Sequence, residues 1–171
     1  APVEGATVII GDITEEATIQ QIREALDGRE INTVISDISP RLTGRYDTDQ
    51  AISLELSTTV LDVAMYVLNP GGTFITKAFQ GTGIEGLVEA ARDRFSNVQR
   101  FAPTASRNSS SETYLICRNK LPRVRKRGAG LTAMEQVSKH LAGLGILTGK
   151  QEVEEEERAV GLRRISKKEE E

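Results

Sequence analysis

The stretch Asn69-Pro70-Gly71-Gly72-Thr73-Phe74-Ile75-Thr76-Lys77-Ala78-Phe79-Gln80-Gly81 decides the reading of this 171-residue chain. Asn-Pro-Gly-Gly is a strong turn signal, because proline presets φ and glycine accepts positive φ. The run after it is short, bounded by turn residues and apolar apart from one lysine, which is the pattern of a buried strand. Burying an ammonium costs several kcal/mol unless it is paired. Lys77 therefore needs a partner or a task. A purely structural ion pair to Asp37 is one reading, and chemistry is the other.

Outward from this strand the chain alternates. Residues 7–10 form a β-branched run ending at Gly11-Asp12, expected as a first buried strand. Residues 13–26 carry Ile19, Ile22 and Leu26 at helical spacing, with Thr14 as a cap and Gly28 as a stop. Residues 33–35 are a second buried strand ending at Ser36-Asp37. Residues 38–49, with Pro40 and Gly44, read as a loop. Residues 49–68 are a long helix with Ile52, Leu56, Val60, Val63 and Val67 on one face. Residues 73–79 are the third strand and 84–95 the next helix. Residues 98–101 and 113–117 are two more strands joined by the polar loop 103–111. With no helix between them, these two are expected to pair antiparallel at one edge. Strands alternating with helices imply an α/β fold and a mostly parallel sheet with an antiparallel edge strand. The expected organisation is a domain over 1–119, a basic linker over 120–130, and a helical, charged and partly disordered tail over 131–171. Within that tail an amphipathic helix spans 131–147.

Composition narrows the class. No run of about 18 apolar residues is present, so no membrane-spanning helix is expected. The N-terminus lacks a basic segment followed by an apolar stretch, so no secretory signal is visible. A single Cys117 excludes an internal disulfide, and one Cys with one His argues against a zinc site. These features point to the cytoplasm. The chain begins at Ala1 rather than Met and reads as a processed chain or a fragment. The net charge of −3 hides an asymmetry: residues 1–117 hold sixteen acidic and nine basic side chains, and residues 118–171 hold nine and thirteen. The basic run Arg118, Lys120, Arg123, Arg125, Lys126 and Arg127 can neutralise phosphates, although a solvated linker has the same composition.

In open parallel sheets ligands bind outside the carboxyl ends of the strands. Asp12, Asp37 and Lys77 fall at or near three such ends. Glu112 borders the last strand, whose start lies at the same rim if it runs antiparallel. Each carboxylate taken alone is ordinary: an Asp after a strand forms turns and caps, and a Glu at a strand start is commonly solvated. Lys77 is the informative residue.

These residues carry a family resemblance. Gly11-Asp12-Ile13, Ser36-Asp37-Ile38-Ser39-Pro40, Asn69-Pro70-Gly71-Gly72, Lys77-Ala78-Phe79-Gln80-Gly81, and Ser106-Arg107 followed by Ser111-Glu112-Thr113-Tyr114 resemble the FtsJ-type (RlmE) ribosomal RNA 2′-O-methyltransferases in order and spacing, over roughly residues 5–118. The resemblance implies a Rossmann-like methyltransferase sheet and S-adenosylmethionine as cofactor. Asp12 is implied on the adenine side of the cofactor, Asp37 in both the cofactor site and the catalytic group, Lys77 as proton acceptor and Glu112 as the catalytic glutamate. The implied substrate is a uridine ribose of large-subunit ribosomal RNA, the implied partner the large ribosomal subunit, and the role rRNA processing.

The same resemblance places a glycine-rich cofactor loop, its flanking strand and helix, the following strand and a further catalytic lysine upstream of residue 1. Gly81-Thr82-Gly83 is no substitute, since it belongs to the exit of the Lys77 strand. The fold is thus expected to be incomplete at its N-terminus, with the missing strands lying between 7–10 and 33–35. A non-catalytic RNA- or ribosome-binding remnant of the same fold is the alternative. A nucleotide-dependent oxidoreductase is disfavoured for want of the glycine fingerprint.

Overall fold

A computed structural model describes residues 3–102 and 111–146. Its elements are α1 (Glu16–Leu26), β1 (Ile31–Ser36), α2 (Tyr46–Val67), β2 (Leu68–Phe79), α3 (Ile84–Arg92), β3 (Phe95–Phe101), β4 (Glu112–Lys120), a short 3-10 turn (Lys126–Gly128) and α4 (Ala133–Gly143). The strands form one sheet in the order β1-β2-β4-β3. β1 and β2 are parallel, and β4 is antiparallel to both β2 and β3. Three strands therefore run the same way, as expected for a mostly parallel sheet. The antiparallel strand is not the edge, however: β4 is inserted between β2 and β3, and β3 takes the edge.

The expected strand over residues 7–10 does not form. Val8 is 68% and Ile10 92% exposed, and neither edge of the sheet pairs with this run. A strand needs a neighbour for its amides, and β-branched composition does not supply one. Its successor β1 hydrogen-bonds on one side only, to β2, and Ile35 is 71% exposed where a buried strand was expected. Helix α1 starts later than its periodicity suggests. Thr14 does not cap it but donates its amide and hydroxyl to Asp12 Oδ1, at 2.9 and 2.7 Å. At the other end Asp27, at φ 46°, takes the left-handed turn just before Gly28.

The core lies on the face shared by Phe74, Leu115 and Cys117. Leu61 and Ala64 of α2, Leu87 and Ala90 of α3, and Phe95 of β3 are sealed from solvent with them. Phe74 and Phe95 stack with ring centroids 6.3 Å apart. Each buried Leu or Phe among them contributes roughly 1.5–3 kcal/mol by leaving water. The Cys117 thiol is pushed up to about 12 by burial alone, which makes it an inert core residue.

By packing, the chain divides into residues 1–137 and 138–171. Within the first unit the basic segment is tied to the core. The amides of Leu121 and Arg125 donate to the carbonyls of Arg94 and Asp93. Arg94, 2% exposed, donates to Ala90 O, Gln136 Oε1 and Leu131 O. Burial draws its pKa down, and the charges of Asp62 and Asp93 oppose that. Asp93 accepts from Arg127 and Gln136. Asp62 of α2 accepts the amides of Ala133 and Met134, which caps α4 across 71 residues of sequence. Thr132 and Glu135 close a capping box on the same helix start. The stretch expected as a linker thus ends in an anchored helix, which begins at Ala133 rather than 131. The polar loop 103–110, the Ser106-Arg107 pair and the charge-dense tail 152–171 lie outside the described residues. No helix among the described residues is long and apolar enough to cross a membrane.

Because Arg94 joins three segments, Arg94→Ala should cost about 3 kcal/mol in denaturant unfolding, from groups left unpaired in the interior. Hydrogen exchange should accelerate at the Leu121 and Arg125 amides. A loss below 1 kcal/mol with unchanged exchange would contradict the anchoring role.

Candidate active site

The order of the sheet builds the site. Asp37 is the first residue past β1, and Ser36 pairs with Thr76 of the parallel β2, so Asp37 emerges beside Lys77. Because β4 is antiparallel, its first residue Glu112 lies opposite Phe79, at the same rim where β1 and β2 end. Lys77 Nζ sits 3.1 Å from Asp37 Oδ1 and 3.6 Å from Glu112 Oε1. The lysine as a whole is only 8% exposed, whereas the Asp37 and Glu112 side chains are 72% and 40% exposed. A buried stem therefore delivers an ammonium to two solvent-facing carboxylates. Exposed carboxylates make such pairs worth little in stability, so stability alone does not account for burying the lysine.

Burial by itself would lower the Lys77 pKa. The hydrogen bond and charge of Asp37, then the charges of Glu112 and Tyr114, outweigh it, and the net shift is upward. Tyr114 pairs directly across from Lys77, so both project from the same face of the sheet.

Helix α2 fixes the strand end that carries Lys77. Ser57 Oγ is shared between Ser53 O and Lys77 O, at 2.7 and 2.9 Å, and Ser53 Oγ accepts the Phe79 amide at 3.1 Å. Past the strand, Gln80 donates its amide to Ser111 O, Tyr46 donates its hydroxyl to Gln80 O at 2.6 Å, and Gln50 donates to Thr82 O. Gly81, at φ 144°, has no room for a side chain: a Cβ would stand 2.7 Å from Gln50. The loop after Asp37 is tied down as well. Asp49, 6% exposed, accepts the Thr43 amide and hydroxyl, both at 2.7 Å, and the Gly44 amide. These bonds hold the Asp49 carboxyl below the usual range, against a smaller opposing effect of burial.

Three of the four candidate residues therefore meet. Asp12 stands in a separate turn before α1, and its two bonds from Thr14 lower its pKa. Sequence reasoning missed Ser53, Ser57, Tyr46, Gln50 and Asp49. The serines were legible only as polar residues four apart on a helix, and the Asp49 clamp only as a Thr-Gly pair six residues ahead of an acid.

The candidate phosphate-binding residues divide. Lys120 Nζ donates to Met65 O and Leu68 O at the end of α2, Arg127 is engaged by Asp93 and Glu89, and Arg118 donates to Gln99. Arg123, Arg125 and Lys126 are exposed. They follow the far end of the nine-residue β4, roughly 27 Å along the strand from Glu112.

Comparison with known proteins agrees with this architecture. The model of the FtsJ-like methyltransferase family matches residues 1–120. Proteins named ribosomal RNA large subunit methyltransferase E are similar: that of Methanothrix thermoacetophila is 44% identical over 115 residues, 67% of this chain and 45% of that relative. That of Methanosarcina acetivorans is 38% identical over 128 residues, 75% of this chain and 47% of the relative. The chain thus spans about half the length of the relatives it matches. A structure described as a ribosomal RNA methyltransferase from Plasmodium falciparum superposes with a TM-score of 0.63 at 25% identity, covering 72% of this chain and 68% of that one. A sheet whose rim gathers Asp37, Lys77 and Glu112, together with a family match running through all three, places this chain in the FtsJ-like methyltransferase family.

Proposed function

We propose that the chain supplies the methyl-accepting side of an S-adenosylmethionine-dependent RNA 2′-O-methyltransferase acting on a uridine ribose of large-subunit ribosomal RNA. The observation that carries this reading is the Asp37–Lys77–Glu112 cluster at the carboxyl rim of the sheet. Asp37 and Asp12 are the residues assigned to the cofactor. The described residues fit its reacting end and not its adenosine end, since Asp12 is exposed in a turn and the glycine-containing loop that follows a strand, Gly81-Thr82-Gly83, is the exit of the Lys77 strand itself. When bound, the cofactor supplies an electrophilic methyl group. An RNA substrate is consistent with a cytoplasmic location.

In this reading Lys77 orients the ribose 2′-hydroxyl and takes its proton as the new C–O bond forms, while the methyl–sulfur bond would break and leave a neutral thioether on the cofactor. Asp37 and Glu112 hold the amine in place and stabilise the ammonium that results. A raised pKa makes Lys77 a stronger acceptor but leaves less free amine at neutral pH. Transfer should therefore speed up as pH rises towards the lysine's own pKa. We assign the exposed Arg123, Arg125 and Lys126 to RNA phosphates distant from the reacting ribose, while Lys120 and Arg127 serve the fold.

Lys77→Ala should lower methyl transfer to large-subunit rRNA at least about 100-fold while leaving RNA affinity within twofold. Retained activity would remove Lys77 from the mechanism. No transfer by the parent chain, with RNA bound and no calorimetric signal for the cofactor, would favour a binding role without catalysis.

Side-chain NMR should show Lys77 titrating above the ordinary lysine value of 10.5. Glu112→Gln should bring it down, because one of the raising charges is gone. A titration below that value would overturn the proposed role of the carboxylates.

Replacing Arg123, Arg125 and Lys126 by Glu should weaken RNA binding at low salt. It should also flatten the plot of log affinity against log salt by about 2, at roughly 0.7 per phosphate contact on a single strand. An unchanged slope would exclude this segment from the RNA interface.

A further inference from the structure

The loop and helix start beside Lys77 carry groups that the proposed chemistry does not use. Tyr46 opens α2, and the residue is 55% exposed. Its hydroxyl is spent on Gln80 O, three residues past Lys77, so the phenol neither seeks water nor swings freely. The other strongly exposed tyrosine, Tyr66, is accounted for by Arg23, whose guanidinium lies 4.0 Å over its ring. Among the described residues no such partner covers Tyr46. The platform under it is rigid: Gln50 pins Thr82 O one helical turn along, and the Asp49 carboxylate fixes Thr43 and Gly44 immediately before it. Arg41 and Arg45, both exposed, flank that clamp on the loop that begins at Asp37.

A fixed, half-open aromatic ring beside cations is the arrangement by which proteins hold unpaired nucleotides: the ring stacks on a base and the cations take neighbouring phosphates. We propose that Tyr46 is a base-stacking residue at the mouth of the Lys77 site, with Arg41 and Arg45 as phosphate contacts, so that the strand is gripped on the side where the reacting ribose must enter. This rests on the RNA reading above and adds a specificity-determining residue to it. The hydroxyl anchor sets where the ring stands relative to the Lys77 strand exit. Stacking there would select unpaired nucleotides over duplex, since a paired base offers no free face.

The test is binding of a fluorescent single-stranded RNA containing an internal uridine to the full chain, followed by anisotropy. Tyr46→Ala should weaken binding about tenfold, and Tyr46→Phe, which keeps the ring, about twofold. Tyr46→Leu keeps apolar bulk without a π face and should behave like Ala, which guards against an unfolded alanine variant. A scan of abasic positions separates stacking from support of the fold. At one position the parent chain should lose the tenfold advantage, and Tyr46→Ala should lose nothing more. Equal binding by Tyr46→Leu and the parent, or additive losses at every abasic position, would overturn the assignment and leave the RNA reading standing. No binding by the folded parent chain at low salt would overturn both.

Discussion

The reversal of β4 beside β2 is the constraint on which the site depends. Had β4 run parallel to its neighbours, Glu112 would open at the opposite rim, a strand length from Lys77. Antiparallel pairing in the observed register, Phe79 with Glu112 and Lys77 with Tyr114, returns the glutamate to the edge where β1 delivers Asp37. Three segments far apart in sequence then share one ammonium. The insertion also sets β2 between two strands, with Thr73–Thr76 paired to β1 and Phe74–Phe79 to β4, so the backbone that carries Lys77 is held in the ladder.

Helix α2 turns that arrangement into a rigid one. Its first turn holds the Asp37 loop through Asp49 and the strand exit through Tyr46 and Gln50; its middle holds the Lys77 strand through Ser53 and Ser57. Its last turn accepts the Lys120 ammonium, and Asp62 caps α4. One helix thus links the rim that gathers Asp37, Lys77 and Glu112 to the basic segment at the far end of the sheet. Such serines would lower the stability of an isolated helix, because their hydroxyls compete for its carbonyls. Here the same hydroxyls satisfy backbone groups of β2, and the tertiary gain offsets the local cost.

The alternation of strands and helices was legible because buried strands and amphipathic helices have different periods, and Lys77 was legible because a charge inside an apolar run is costly. The convergence of Asp37 and Glu112 followed from the strand-end rule once the last strand was taken as antiparallel. What failed was residues 7–10. Their composition signals burial, but a strand also requires an available edge, and that is a property of the assembled sheet. The structural use of Lys120 and Arg127 was hidden for a related reason: charge patterning counts cations without showing which carbonyls and carboxylates stand nearby. The Thr132–Glu135 capping box, by contrast, was present in the sequence and unread.

The electrostatics of Lys77 carry the last consequence. Burial and carboxylates act in opposite directions on its ammonium, and the carboxylates prevail. A buried lysine whose pKa falls is a ready base at neutral pH; one whose pKa rises is a cation that holds its partners in place and a base only after it has given up a proton. Because the Asp37 side chain is largely and the Glu112 side chain partly exposed, anything that covers the rim will strip water from all three groups together. That strengthens both opposing effects, since desolvation and charge attraction grow as the local dielectric falls. In the proposed reaction a substrate laid across the rim would thus change the balance that sets the proton affinity of Lys77, and the carboxylates beside the amine would set the direction. The solvent exposure of Asp37 and Glu112 is in this sense part of the site, because it leaves the final adjustment of Lys77 to the molecule that binds.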